Sequence, residues 1–201
     1  MFIKEVKQYQ RHDFTSENFQ ELELIGYEFR ECNFRGVNLS QAVTRNCIFD
    51  RCDLSYAKLN GSKHKNSAFL NCKFFGTALF CATLTDCKGT GSIFTDADLT
   101  GISLVRGNYS FANFMDSDFR RMDLSDINFS NADLRKCNME YVVMHGADLS
   151  GALLSGARLN HADIRESRLD GVYMNDVKLG KTKIDLEQAV VIAECLGGIV
   201  G

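Results

Sequence analysis

Eight cysteines, four histidines and twenty-six acidic residues in a chain of 201 supply donors enough for metal, thiol or acid–base chemistry, so their spacing has to be tested against each. Six of the cysteines, Cys32, Cys47, Cys52, Cys72, Cys87 and Cys137, share one phase of a five-residue count, and only Cys81 and Cys195 leave it. No C-x-x-C occurs, and Cys47 and Cys52 stand five apart, which is not the close pairing that places thiolates around one zinc. Elsewhere the same phase holds Ala, so these thiols are expected to pack as small apolar side chains. His64, flanked by Lys63 and Lys65, is a candidate ligand or base. It lacks a carboxylate and a second His at ligand spacing, and the expectation is a locally distorted pentad with the imidazole turned outward. No nucleophile–base pair or paired carboxylate emerges either, so neither an enzyme nor a bound metal or cofactor is expected.

Two surface features stand out. Between 86 and 133 lie eight acids, Asp86, Asp96, Asp98, Asp116, Asp118, Asp123, Asp126 and Asp133, against four bases, Lys88, Arg106, Arg120 and Arg121. Leu70, Phe75 and Phe80 fall at positions that should face away from the core, an apolar patch of the kind partners use. The acids have a second explanation, because Asp and Asn are also turn residues.

The elements that carry these residues are set by the period. Leu134, Met139, Met144, Leu149, Leu154, Leu159 and Ile164 recur every fifth residue. Helices bury residues at spacings of three and four and strands at two. A large apolar residue every five faces inward only if the chain bends the same way once per five, which describes a solenoid whose repeats stack. From Phe14 to Leu179 the phase gives 34 centres, and only Thr44, His64 and Gly89 are not large and apolar. Two residues before the centre, 27 of the 34 are Ala, Cys, Ser, Thr, Gly or Val, too many for chance. Proline, which would break a backbone ladder, is absent.

The units Ala132-Asp133-Leu134-Arg135-Lys136 and Ala147-Asp148-Leu149-Ser150-Gly151 resemble the pentapeptide-repeat family, over about five-sixths of the chain. The resemblance implies an all-β fold, a right-handed quadrilateral β-helix with four pentads per coil. Under that geometry Asp96 and Asp116, and Asp98 and Asp118, each twenty apart, would gather at one corner over two coils spaced by about 4.8 Å.

Three segments are expected: a cap over 1–13, the β-helix over 14–182, and a helix with a dimerisation tail over 183–201, the whole making one domain. Phe2, Ile3 and Val6 are suited to covering the first coil. In the tail, Asp185 and Gln188 have capping-box spacing, and Gly197 suits a helix end. Leu186, Ala189, Val190, Ala193 and Leu196 form an apolar stripe that must be buried on the last coil or on another copy.

The stretch Lys183 to Ala189, followed by Leu196 to Gly201, is similar to the ends of the quinolone-resistance (Qnr) and mycobacterial fluoroquinolone-resistance proteins within that family. The resemblance implies a homodimer, formed through the stripe, that acts as an acidic mimic of DNA. It implies binding to DNA gyrase, topoisomerase IV or both, modulation of those enzymes, and fluoroquinolone resistance. The contacts would be Asp96, Asp98, Asp116, Asp118, Asp123 and Asp126, with neither nucleic acid nor membrane bound directly. The unbroken phase leaves no room for the two loop insertions that many Qnr proteins carry. A plain interaction scaffold with an unknown protein partner is the other reading, since fold does not fix function. With no apolar run long enough to span a membrane and no apolar signal-peptide stretch near the start, a cytoplasmic protein is expected.

Overall fold

The computed structural model describes residues 2–200. Met1 and Gly201, the outer ends of the expected cap and tail, lie outside them. The described chain divides into two compact units, with the boundary between Asn108 and Tyr109. A solenoid repeat touches only its neighbours, so nothing in the repeat itself binds distant coils into one core.

In the first unit the strands are β1 (Gln8–Gln10), β2 (Glu23–Ile25), β3 (Glu28–Arg30), β4 (Val43–Arg45), β5 (Ile48–Asp50), β6 (Lys63–Lys65), β7 (Ala68–Leu70), β8 (Thr83–Lys88) and β9 (Ser103–Asn108). They form two parallel ladders. One runs β1-β3-β5-β7-β8 and the other β2-β4-β6-β8-β9, with β8 long enough to belong to both. The register is twenty residues throughout, as in Tyr9↔Phe29↔Phe49↔Phe69 and Leu24↔Thr44↔His64↔Leu84. Twenty residues are four pentads, so each coil has four sides, and the fold is the right-handed quadrilateral β-helix that the resemblance implied. The ladder also begins earlier than Phe14, because β1 lies within the stretch read as a cap. Phe2 does cover the first coil, its ring 4.9 Å from Phe19 and 5.6 Å from Tyr27.

The second unit repeats the pattern with single bridges. Asp118↔Asn138↔Arg158↔Lys178 and Asp123↔Val143↔Asp163↔Lys183 are again parallel and twenty apart. Its elements are the short strand β10 (Ile127–Asn128) and the helix α1 (Leu186–Cys195).

The bend has one recurring cause. At nearly every second residue after a centre the backbone is left-handed, for example Asn46 at φ 53°, Asp96 at 58°, Asp116 at 63° and Gly146 at 66°. Gly reaches this region without steric cost, and Asn and Asp do so more readily than other residues. Each corner turns the next pentad through the same angle and so keeps every centre inward. At Gly76 (φ 61°) a Cβ would also sit 2.8 Å from the ring of Tyr56, which would have to turn aside.

The core is a stack of rings in the first unit. Phe29–Phe49, Phe49–Phe69 and Phe74–Phe94 pair at 4.9, 4.8 and 4.6 Å, one coil apart. After Phe129 the second unit fills the same place with Leu134, Met139, Met144, Leu149 and Leu154, all buried. The cysteines expected at small inward positions are there, and Cys81 is exposed. Burial pushes the Cys87 thiol up to about 11 and Cys137 up to about 12, which leaves them protonated and unreactive.

His64 corrects its expectation. The imidazole points inward, only 2% exposed. Its Nδ1 lies 2.7 Å from Thr44 Oγ1 and its Nε2 2.9 Å from Ser62 Oγ. Ser62 donates its proton to Leu59 O, so it accepts from Nε2–H, and Nδ1 is left to accept from Thr44. Ser67 completes the chain at 3.0 Å from Thr44 Oγ1. The two polar centres of the ladder, Thr44 and His64, are therefore one hydrogen-bonded pair across adjacent coils, and a pentad with a polar centre stays regular because its partner is polar too.

Candidate functional site

The acidic residues reach the surface by two routes, both fixed by the pentad. Asp96, Asp116 and Asp126 occupy left-handed corners, which stand clear of the walls, and all three are exposed. Asp98, Asp118 and Asp123 lie just before a centre, on the outer face. There Oδ1 accepts the backbone N–H two residues on, from Thr100, Arg120 and Ser125, each at 3.0 Å. Turn chemistry thus accounts for all six positions. It does not account for their charge, since Asn does the same work at Asn113 and Asn128.

The six differ in partners. Asp118 is held by Arg120, with Nη2 at 2.5 Å from Oδ2, and that side-chain bond sets its carboxyl below the usual range. Asp123 is lowered chiefly by the Ser125 hydroxyl, which donates at 2.6 Å. Among the described residues Asp96, Asp98, Asp116, Asp123 and Asp126 form no ion pair, whereas Asp86, Asp133 and Asp163 are paired with Arg106, Arg135 and Arg165. The structure places Asp96 and Asp98 in the first unit and the other four in the second. Within each unit the carboxylates follow one another along the outside of a single coil.

The apolar candidates lie in the first unit. Phe75 is 40% and Phe80 49% exposed, with Leu70 half-buried. Tyr56, which the sequence did not single out, belongs with them. Its ring meets Phe75 edge-on at 5.5 Å, and the Arg35 guanidinium covers it at 4.6 Å.

The helix begins as expected. Asp185 accepts from Gln188 N, and the Gln188 side chain reaches back to the Asp185 N–H. The stripe, however, is divided. Ala189, Val190 and Ala193 are half-buried, while Leu186 is 82% and Leu196 67% exposed. What anchors the helix is Gln188, buried, whose Nε2 donates toward Ile164 O, Ser167 O and Ser167 Oγ. The sequence showed Gln188 as a cap partner and gave no sign of this second role.

No group of three or more His, Cys, Asp or Glu among the described residues is placed to hold a metal ion. No helix among them is long and apolar enough to cross a membrane.

Residues 28–63, 112–151 and 143–180 match the family described as pentapeptide repeats. The chain belongs to the pentapeptide-repeat family. A segment of 59 residues is 39% identical to pentapeptide repeat protein MfpA of Mycobacterium tuberculosis, covering 29% of this chain and 32% of MfpA, so the match spans about a third of that relative. A trypsin-treated form of QnrB1, titled a plasmid-mediated fluoroquinolone resistance protein, superposes with a TM-score of 0.83 at 22% identity over 96% of this chain and 97% of that one. Full-length QnrB1 gives 0.66 at 22% identity over 94% and 99%. This pentapeptide-repeat protein therefore shares the QnrB1 fold along almost its whole length.

Proposed function

We propose that the protein is a cytoplasmic, non-enzymatic mimic of DNA. In this reading it binds type II topoisomerases, DNA gyrase or topoisomerase IV, modulates them, and confers fluoroquinolone resistance. The observation that carries the reading is the set of exposed carboxylates without cation partners, Asp96, Asp98, Asp116, Asp123 and Asp126. Within each unit these acids stand exposed and unneutralised, as phosphates do. A groove built for DNA is cationic and would receive them. The QnrB1-like fold and the MfpA-like segment support the choice of enzyme.

Replacing Asp96, Asp98, Asp116 and Asp118 together by Asn tests it, because Asn keeps the turn bonds, as Asn113 does, and removes only the charge. None of the four is buried, so the melt and circular dichroism should stay near the parent's. Inhibition or protection of gyrase supercoiling, assayed with and without a fluoroquinolone, should be lost. Parental binding should also weaken as salt is added. If the quadruple variant acts on gyrase at parental concentration, the acids are turn chemistry alone, and the Tyr56–Phe75–Phe80 patch supports the scaffold reading instead.

The functional form is proposed to be a homodimer joined through α1. Leu186 and Leu196, more than half exposed at either end of the helix, leave apolar surface that a second copy would cover. Leu186→Lys with Leu196→Lys should sediment as a monomer while keeping the parental melt. A parent protein that is already monomeric at high micromolar concentration would sink this assignment.

A further inference from the structure

We propose a binding site for phosphate-type oxyanions on the outer face of β4, β6 and β8, opposite in charge to the acidic corners and independent of them. The inward placement of His64 turns both of its neighbours, Lys63 and Lys65, outward, and both are exposed. The register sets Arg45 beside Lys65 and Lys65 beside Thr85, with Lys63 beside Thr83. Neighbouring strands are about 4.8 Å apart, and like charges directly opposite one another repel. Neutralisation from within is slight. Arg45 has Glu23 at 3.6 Å, but Lys63 and Lys65 form no ion pair among the described residues. Asp86 is bonded by Arg106 at 2.7 and 2.9 Å, and Lys65 adds only a smaller attraction to it.

These cations rim an open depression of about 680 Å³ that also presents the Thr83 and Thr85 hydroxyls and the Asn46 and Asn66 amides. That volume suits a small ligand. Three cations with neutral donors between them are what a polyanionic phosphate group requires. Because these residues stand on paired strands, the spacing of their backbones is set before any ligand arrives.

The chemistry fits two sources, a small polyphosphate or the phosphodiester backbone of a nucleic acid, and two probes separate them. Inorganic tripolyphosphate would be titrated calorimetrically into the full chain at low salt. A labelled oligo-dT of about 20 nucleotides would be followed by anisotropy. We expect tripolyphosphate to bind below about 1 mM, and Lys63→Ala with Lys65→Ala to weaken it by about tenfold or more with an unchanged melt. Lys58→Ala with Lys73→Ala, the same loss of charge on other faces, should leave it as it was. Tighter binding of the oligonucleotide, displaced by tripolyphosphate, assigns the phosphodiester. Binding of tripolyphosphate alone assigns the small ligand. The site is overturned if neither probe binds, or if the Lys58 and Lys73 pair costs as much as the Lys63 and Lys65 pair. That result would leave topoisomerase binding untouched, since the residues differ.

Discussion

Phe49→Ala should destabilise the protein by about 3–5 kcal/mol. Phe49 is fully buried between Phe29 at 4.9 Å and Phe69 at 4.8 Å. Truncation removes a ring from the middle of a continuous column, and the rings above and below cannot close the gap without leaving their coils. Phe49→Asp goes further, placing an unpaired carboxylate where no donor waits, and should prevent folding. Urea titration of the alanine variant reads the first effect, and loss of a cooperative melt reads the second. An aspartate variant that melts at the parental temperature would show that the column is not the core.

The second large effect depends on pH. Burial lowers the His64 imidazolium from the ordinary 6.5 to about 4, because the charged form would have to leave water. The unfolded chain then binds a proton that the folded one refuses. Stability is therefore whole above about pH 6.5, falls as the pH drops from there to 4, and by pH 4 has lost about 3 kcal/mol. Carboxylates held low by their partners, Asp163 above all through its bonds to Arg165, lose their contribution only at lower pH, below their unfolded value of 3.8, so the two windows separate. His64→Phe should flatten the dependence between pH 6.5 and 4. If the parent is equally stable at both ends of that window, the imidazole is not held neutral by the core.

The fold was legible because the five-residue phase is a direct imprint of geometry. A centre such as Phe34 or Leu134 faces inward wherever it occurs, and one residue type at one spacing is enough to find it. His64 was misread for the same reason. A polar residue at a centre looks like a break, and the twenty-residue spacing to Thr44 does not by itself show that the two side chains face inward and bond. The candidate site was legible in composition but not in role. Asp96 and Asp116 miss the position just before a centre that Asp98 and Asp118 hold. They stand at left-handed corners, where Gly and Asn recur at Gly36, Asn46, Gly61 and Asn71. That column was visible in the sequence and would have explained them. Gln188 was beyond reach, since its partners on Ile164 and Ser167 follow from how the helix docks, which no local pattern encodes.

The twenty-residue register also bears on how the chain finds its fold. Bonds between coils, such as Phe34 N to Asp53 O and Asn33 N to His12 O, all close loops of about the same modest length, wherever in the chain they form. The mean separation of contacts is then roughly a tenth of the chain, a relative contact order of about 0.1, which is typical of helical bundles and well below that of sandwiches and barrels. Loop-closure entropy is met in equal small steps. A first pair of coils is the costly event, and each later coil adds to an edge already in place. Folding should therefore be fast for an all-β chain, and within each unit opening should begin at its outermost coils, where amide exchange should be fastest.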